Sequence, residues 1–355
     1  ATGVARSENW PSWRGPGGDS VSHETGLPLT WSEKSNVLWK CPLIGEGASS
    51  PVVWGNAVFL TSQQGETLLL VKIDNSTGKV EWQREVGRGT VARGKLAAKK
   101  DDARRQQKFH QLHNMASPSP VTDGESVVVH FGNGDLAAYD FQGNQRWFHN
   151  LQKEHGAYTI WWGHANSPVL FRDLVISVCM QDSLADLSGP PSPSYLVAHD
   201  KKTGTEKWKT MRMTEAKAEE CDSYTTPIFA KSAERPEMIV MGGNQIDAYD
   251  PATGKRLWHL PGIVGGRTIT GPTIGPEFVY ATQGMRGPLL AIPWKSVGPL
   301  TAKSVAWKQT QGTPDTCCPV LWKDSLFSVS DNGIAQCFDA RRHALGHRHQ
   351  VQART

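Results

Sequence analysis

One phrase recurs through the chain and restricts its fold more than any other feature. Its full form is Ala248-Tyr249-Asp250-Pro251-Ala252-Thr253-Gly254-Lys255-Arg256-Leu257-Trp258. Ala198, Asp200, Thr203, Gly204 and Trp208 hold the same spacing. Asp74, Thr77, Gly78 and Trp82 repeat it, and Asp140, Gly143 and Trp147 repeat it one residue shorter. The phrase ends one strand, turns, and begins another. Asp accepts hydrogen bonds from the N–H groups of the turn, and Gly takes a positive φ without steric cost. Trp then lands early on the next strand, where its ring buries a large apolar area and its N–H needs a partner. A large ring at the same point of each repeat is a docking device between neighbouring modules.

A second phrase marks where each module opens: Ser50-Pro51, Ser119-Pro120, Ser167-Pro168, Thr226-Pro227, Gly271-Pro272 and Cys318-Pro319. The opening prolines are 45 to 69 residues apart, room for four short strands and variable loops. Apolar runs follow each opening, and no helical period survives in these windows, so the chain reads as all-β and helical solenoids are disfavoured. Strand-only repeats of this size predict a β-propeller of four-stranded blades, with six recognisable units and seven or eight in an intact relative. A module of four strands cannot bury both faces alone, so the modules stack around an axis. Residues 1–36, rich in Gly, Pro, Ser and Trp, read as an arm lying on a surface, and 37–340 as the propeller. Within it, residues 37–43 are expected as an isolated outer strand, with Trp39 as its repeat tryptophan, completing the last blade and closing the ring. After Asp339 the Thr-Gly and Trp of the repeat are missing, so 341–355 reads as an irregular basic tail.

These residues resemble the PQQ-like (pyrroloquinoline-quinone-like) β-propeller repeat family, which holds quinoprotein alcohol dehydrogenases and BamB-like outer-membrane assembly lipoproteins. The likeness spans roughly residues 37–340 and is carried by the two complete copies of Ala-x-Asp-x-x-Thr-Gly-x-x-x-Trp. The length and the front arm look more like the stand-alone propellers than the longer dehydrogenases. The resemblance implies a non-catalytic scaffold outside the cytoplasm, periplasmic or otherwise exported, that binds a protein or a small ligand and needs no cofactor. The alternative is an alcohol or sugar dehydrogenase dependent on PQQ and calcium.

The loops before each opening proline lie near one mouth of the channel in such a ring, where polar and aromatic groups of different units converge. They carry the candidate ligand-binding residues His113, Asn114, Trp161, Trp162, His164, Asn166, Asp222, Tyr224, Arg267 and Asp315. The enzyme reading needs oxygen ligands for a hard cation, a catalytic carboxylate and an aromatic floor. Asp222 and Asp315 are its carboxylates, Asn114 and Asn166 its oxygen ligands, and Trp161 or Trp162 its floor. Adjacent Cys317 and Cys318 look like the ring disulfide beside the quinone in some dehydrogenases of that family. Cys318 also fills the slot that Ser50, Ser119 and Ser167 hold elsewhere, and a small residue at a strand start is the reading adopted.

Other features are assigned no site. The net charge of +4 does not argue for nucleic acid, and the basic run Arg88–Lys108 lacks the interleaved aromatics that stacking requires. It reads as a solvated insertion. No run of 18 apolar residues predicts a membrane span. His343, His347 and His349 mimic metal-ligand spacing in a segment that breaks the repeat, so no metal is assigned to them. Gln283-Gly284-Met285-Arg286-Gly287 reads as a turn rather than a dinucleotide fingerprint. The six cysteines form neither a disulfide scaffold nor a zinc spacing, the start at Ala1 with neither Met nor a charged-then-apolar leader is what an export signal removed or left out would leave, and a monomer is expected.

Overall fold

The computed structural model describes residues 8–90, 107–182, 184, 192–230, 232, 234–282 and 287–341, and the backbone of 345–350. Most of the basic insertion, most of the segment 283–287 and His343 lie outside these residues. Among the described residues six sheets, antiparallel but for one added parallel strand, succeed one another as the blades of a β-propeller. The first blade is β1 (Val52–Trp54), β2 (Ala57–Gln64), β3 (Thr67–Asp74) and β4 (Val80–Arg88). The second is β5 (Val121–Thr122), β6 (Ser126–His130), β7 (Asp135–Asp140) and β8 (Gln145–Asn150), followed by the short helix α1 (Leu151–His155). The third is β9 (Val169–Phe171), β10 (Leu174–Cys179), β11 (Ser194–Asp200) and β12 (Glu206–Arg212). The fourth is β13 (Ile228–Ala230), β14 (Glu237–Gly242), β15 (Gln245–Tyr249) and β16 (Arg256–Pro261). The fifth is β17 (Thr273–Ile274), β18 (Phe278–Thr282), β19 (Leu289–Pro293) and β21 (Trp307–Gln309); β20 (Gly298–Pro299) leaves it to pair in parallel with β16. The sixth is β22 (Val320–Trp322), β23 (Ser325–Val329), β24 (Ile334–Asp339) and β25 (Leu345–Gln350).

Because successive strand residues point to opposite faces, each blade divides its apolar side chains between two neighbours. Phe59, Leu68 and Leu70 of the first blade meet Val127, Val129 and Tyr139 of the second. Ile176, Val178 and Leu196 of the third meet Met238, Val240 and Tyr249 of the fourth. The core is therefore a series of slabs between blades.

The repeat phrase has a direct structural meaning. Asp200 Oδ1 accepts the N–H groups of Lys202 and Thr203, both at 3.0 Å, and its carbonyl accepts Gly204 N–H at 2.8 Å. Gly204 has φ +75°, and a Cβ there would lie 2.8 Å from Cγ of Trp147, so only glycine suits the turn. The indole N–H groups of Trp39, Trp82, Trp147 and Trp307 donate to the carbonyls of Asn75, Phe141, Lys201 and Ala340. Each acceptor immediately follows the aspartate ending the third strand of its blade. Trp208 packs its ring against Gly254, whereas Trp258, fully buried, donates to Glu237 Oε2 within its own blade at 2.7 Å.

Two expectations are corrected. Residues 37–43 form no strand, and the outer strand of the sixth blade is β25, from the segment read as an irregular tail. A hairpin continuing from β24 closes a short loop, whereas pairing residues 37–43 with 334–339 would close one of nearly the whole chain; Pro42 would also break such a ladder. Residues 37–43 instead run beside the first blade, where Trp39 and Cys41 pack on Val58, Leu60, Leu69 and Val71.

The front arm is more than a surface strap. Trp10 pairs with Val53, Thr122 N–H donates to Pro11 O, and Arg14 is almost fully buried. The Arg14 guanidinium donates to the carbonyls of Pro272 (2.6 Å) and Pro319 (3.3 Å), bridging the inner strands of the fifth and sixth blades.

The opening phrase links blades around the channel. The N–H of Ser50 donates to Ser119 Oγ, Ser119 N–H to Ser167 Oγ, and Ser167 N–H to Thr226 Oγ1, at 2.9 to 3.0 Å. Gly271 N–H donates to Cys318 Sγ at 3.2 Å, so the cysteine thiol does what the serine hydroxyl does elsewhere. Both Cys317 and Cys318 are free thiols.

Candidate functional site

The loops leading into the second to fifth blades meet at one mouth of the channel and enclose a cleft of ≈ 520 Å³. His110, His113 and Trp162 line one side, and Glu219, Tyr224 and Arg267 another. A tight turn fixes the first loop, with His113 N–H donating to His110 O at 2.9 Å. His113 Nδ1 lies 2.5 Å from Trp162 O, and the Trp162 ring meets His110 edge-on with centroids 5.2 Å apart. Gly163, at φ +89°, turns the second loop where Phe109 leaves no room for a Cβ.

The opposite wall is a short backbone ladder. Tyr224 N–H donates to Thr268 O and Thr268 N–H to Asp222 O, both at 2.9 Å. Arg267 lies 3.7 Å from Glu219 and 4.0 Å from Asp315, so the rim carries a guanidinium between two carboxylates.

Asp222 sits beneath this wall, fully buried. Its Oδ1 accepts Trp161 N–H at 3.4 Å and its Oδ2 accepts Tyr224 Oη–H at 3.1 Å. Burial pushes its carboxyl up to about 8, and the nearby Asp182 and Glu219 push the same way, against those two hydrogen bonds. The group is therefore protonated at neutral pH and serves as a neutral polar anchor under the tyrosine.

The structure thus gathers His113, Trp162, Tyr224 and Arg267 around one cleft, with Asp222 and Trp161 behind them and Asp315 reached through Arg267. It separates the other three candidates. Asn114 faces a different depression beside Gly45–Ser49, and its Oδ1 accepts Ala116 N–H at 2.9 Å. His164 turns into the second blade, where its Nε2 meets His130 Nδ1 at 3.1 Å and burial lowers it to about 3. Asn166 is buried and donates to Thr225 O at 2.6 Å. Sequence reasoning overlooked His110, Ser117, Glu219 and Ile269 on the cleft wall. All lie within three residues of a candidate named from the sequence, His113, Asn114, Asp222 or Arg267, so a wider span of each loop holds them.

These residues do not fit a calcium-held quinone. Asp222 Oδ1 and Oδ2 are engaged by Trp161 N–H and Tyr224 Oη–H, Asp315 faces Arg267, and the Asn114 oxygen is taken by its own loop. Among the described residues, the group of His, Cys, Asp or Glu ligand atoms that converges is His149, Glu154 and His199, away from this mouth.

The family described as outer membrane protein assembly factor BamB matches residues 29–186 and 191–344. Among solved structures, BamB from Moraxella catarrhalis superposes with a TM-score of 0.54 at 13% identity, covering 84% of this chain and 71% of that one. A europium-containing methanol dehydrogenase superposes with a TM-score of 0.58 at 13% identity, covering 88% of this chain and 69% of that one. Likeness at this identity shows the fold alone. No curated protein matches the sequence.

Proposed function

The chain belongs to the BamB family of PQQ-like repeat propellers, and from that premise we propose that it is a non-catalytic scaffold working outside the cytoplasm. Its blades, docked on one another through the repeat tryptophans, hold the channel-mouth cleft that takes a protein segment or a small ligand. The observation that carries this reading is the chemistry of the cleft: aromatic and imidazole rings face a paired guanidinium, and the one carboxyl beneath them is protonated. Rings with an amphipathic edge and an arginine are the side chains that dominate binding surfaces. Asp222, a carboxylate the enzyme reading would use, is pushed up to about 8 by burial and is mostly protonated at neutral pH, which is the wrong state for a resting base.

A quinone-dependent oxidoreductase is the competing class, and the experiment is chosen to separate the two. Purified protein is titrated with pyrroloquinoline quinone and calcium and followed by absorbance and thermal melting. The scaffold reading expects no saturable quinone uptake and an unchanged melting temperature. Saturable uptake with a raised melting temperature and dye reduction with alcohols or sugars would overturn it. In parallel, capture from cell-envelope extracts with the wild type and with Trp162→Ala and Arg267→Glu variants is expected to give a partner that both variants lose.

A further inference from the structure

His199, on β11, is a buried imidazole that the propeller leaves without a partner. It is fully buried, and neither ring nitrogen has a hydrogen-bond partner. Orphaned buried polar atoms of this kind call for an ion or a water. Two groups of the second blade converge on it: His149 near the end of β8, with its ring centroid 4.7 Å from that of His199, and Glu154 on α1. One ligand atom from each of the three lies within 4.8 Å of the other two.

The surroundings of His149 point the same way. Its Nε2 is 2.8 Å from Gly204 O, and its Nδ1 is 2.9 Å from Glu154 Oε1. Both neighbours are acceptors, whereas a neutral imidazole has one N–H. With Nε2–H donated to the carbonyl, the second contact that metal-bound histidines ordinarily make, Nδ1 and Glu154 Oε1 are a nitrogen and an oxygen donor that can share one ion in place of a shared proton.

We propose that His149, Glu154 and His199 form a site for a divalent transition-metal ion of the zinc type, between the second and third blades. Two imidazoles and one carboxylate suit that ion class, with the fourth position left to water. Ligand bonds of about 2.0–2.2 Å in a tetrahedral site set ligand atoms about 3.3–3.5 Å apart, so Glu154 Oε1 has to part from His149 Nδ1 and the set has to close on His199. Glu154 stands on an exposed turn of helix and has the freedom to do so. His155, on the same helix, faces Glu206 and Lys209 instead.

The test must set aside His343, His347 and His349, which offer a rival spacing in the C-terminal segment. The full chain with these three replaced by asparagine is titrated with zinc by calorimetry and with cobalt(II) by visible absorption, and the metal content after dialysis is measured. One ion per chain, tetrahedral cobalt bands and a raised melting temperature are expected. On this background, Glu154→Gln, a surface change, and His149→Asn should each weaken binding at least about tenfold, with far-UV circular dichroism unchanged. His199→Gln is expected to do the same. Absence of binding once the terminal histidines are gone would overturn the site, as would binding that Glu154→Gln and His149→Asn leave intact.

Discussion

Replacing Asp222 by asparagine reads the chemistry of the cleft floor through stability alone. A carboxyl whose folded value is about 8, against an ordinary value of 3.8, is protonated in the fold and ionised in the unfolded chain across the pH range between them. The sign is opposite to that of a salt-bridged carboxylate. The fold binds one proton more than the unfolded chain, so this residue's contribution is complete below 3.8 and is lost as pH rises through about 8. The slope is about −1.4 kcal/mol per pH unit, or about 6 kcal/mol over the full window. Asparagine has the same shape: its Oδ1 still accepts Trp161 N–H, and its Nδ2 faces the Tyr224 hydroxyl as a donor.

Urea unfolding of the wild type and Asp222→Asn at pH 5, 6 and 7 isolates this slope. The buried His130, His164 and His199, which burial lowers and which destabilise the fold in acid, cancel in the difference. The variant should gain about 3 kcal/mol on the wild type between pH 5 and pH 7. A difference that stays constant over those two units would mean that Asp222 is ionised in the fold. The argument against Asp222 as a neutral-pH base would then fail.

Two further perturbations test how the ring is held. Ser119→Ala removes the acceptor of Ser50 N–H and should cost about 1–3 kcal/mol in chemical denaturation, whereas Ser119→Cys should cost less than half as much, because Cys318 already serves in that role. Arg14→Met leaves the Pro272 and Pro319 carbonyls without the guanidinium, so limited proteolysis should cut residues 8–20 well before the blades unfold; equal cutting in the wild type would refute the anchoring role.

The blades were legible because two periodic signals coincide in them, alternation along the strands and the Asp-Gly-Trp turn. The last outer strand was hidden because only the residues of the phrase are lost there, not its spacing. Leu345 follows Asp339 by six residues, as Val80 follows Asp74 and Glu206 follows Asp200, and all three pair just beyond the same β-bulge. His347 stands where the repeat puts tryptophan. Counting residues instead of matching them would have found the strand. The mouth was half legible. Position before an opening proline brings a residue to the right end of the channel, which suffices for His113, Trp162, Tyr224 and Arg267. It says nothing of which way a loop side chain turns, so His164 and Asn166, buried in blades, read the same as their exposed neighbours. The burial of Asp222 left no mark in the sequence, because its cover is a backbone segment and a tyrosine from its own loop.

The place where the mouth departs from ring symmetry follows from a single missing hydroxyl. At four steps, first to second, second to third, third to fourth and fifth to sixth, an opening residue offers a side-chain acceptor to the N–H of the blade before it, through Ser119, Ser167, Thr226 and Cys318. At the step from the fourth to the fifth blade the residue is Gly271, and no side chain faces Thr226 N–H. At that same step the lead-in loops pair through backbone, Ser223 with Thr268, and this pairing puts Asp222 under cover and Arg267 on the cleft wall. Restoring the hydroxyl tests whether the relay and the ladder coexist. A Cβ at Gly271 would meet Cys318 Sγ at 3.4 Å and the Trp13 ring at 3.9 Å, both ordinary contacts, and its φ is not in the left-handed region. Gly271→Ser should therefore stabilise the protein by about 0.5–1.5 kcal/mol, the net worth of one added hydrogen bond, in urea unfolding at pH 7. Asp222 should then show the same pH slope as before. If Gly271→Ser instead destabilises the fold or removes that slope, the two arrangements exclude each other, and the glycine is what permits the buried carboxyl and the cleft above it.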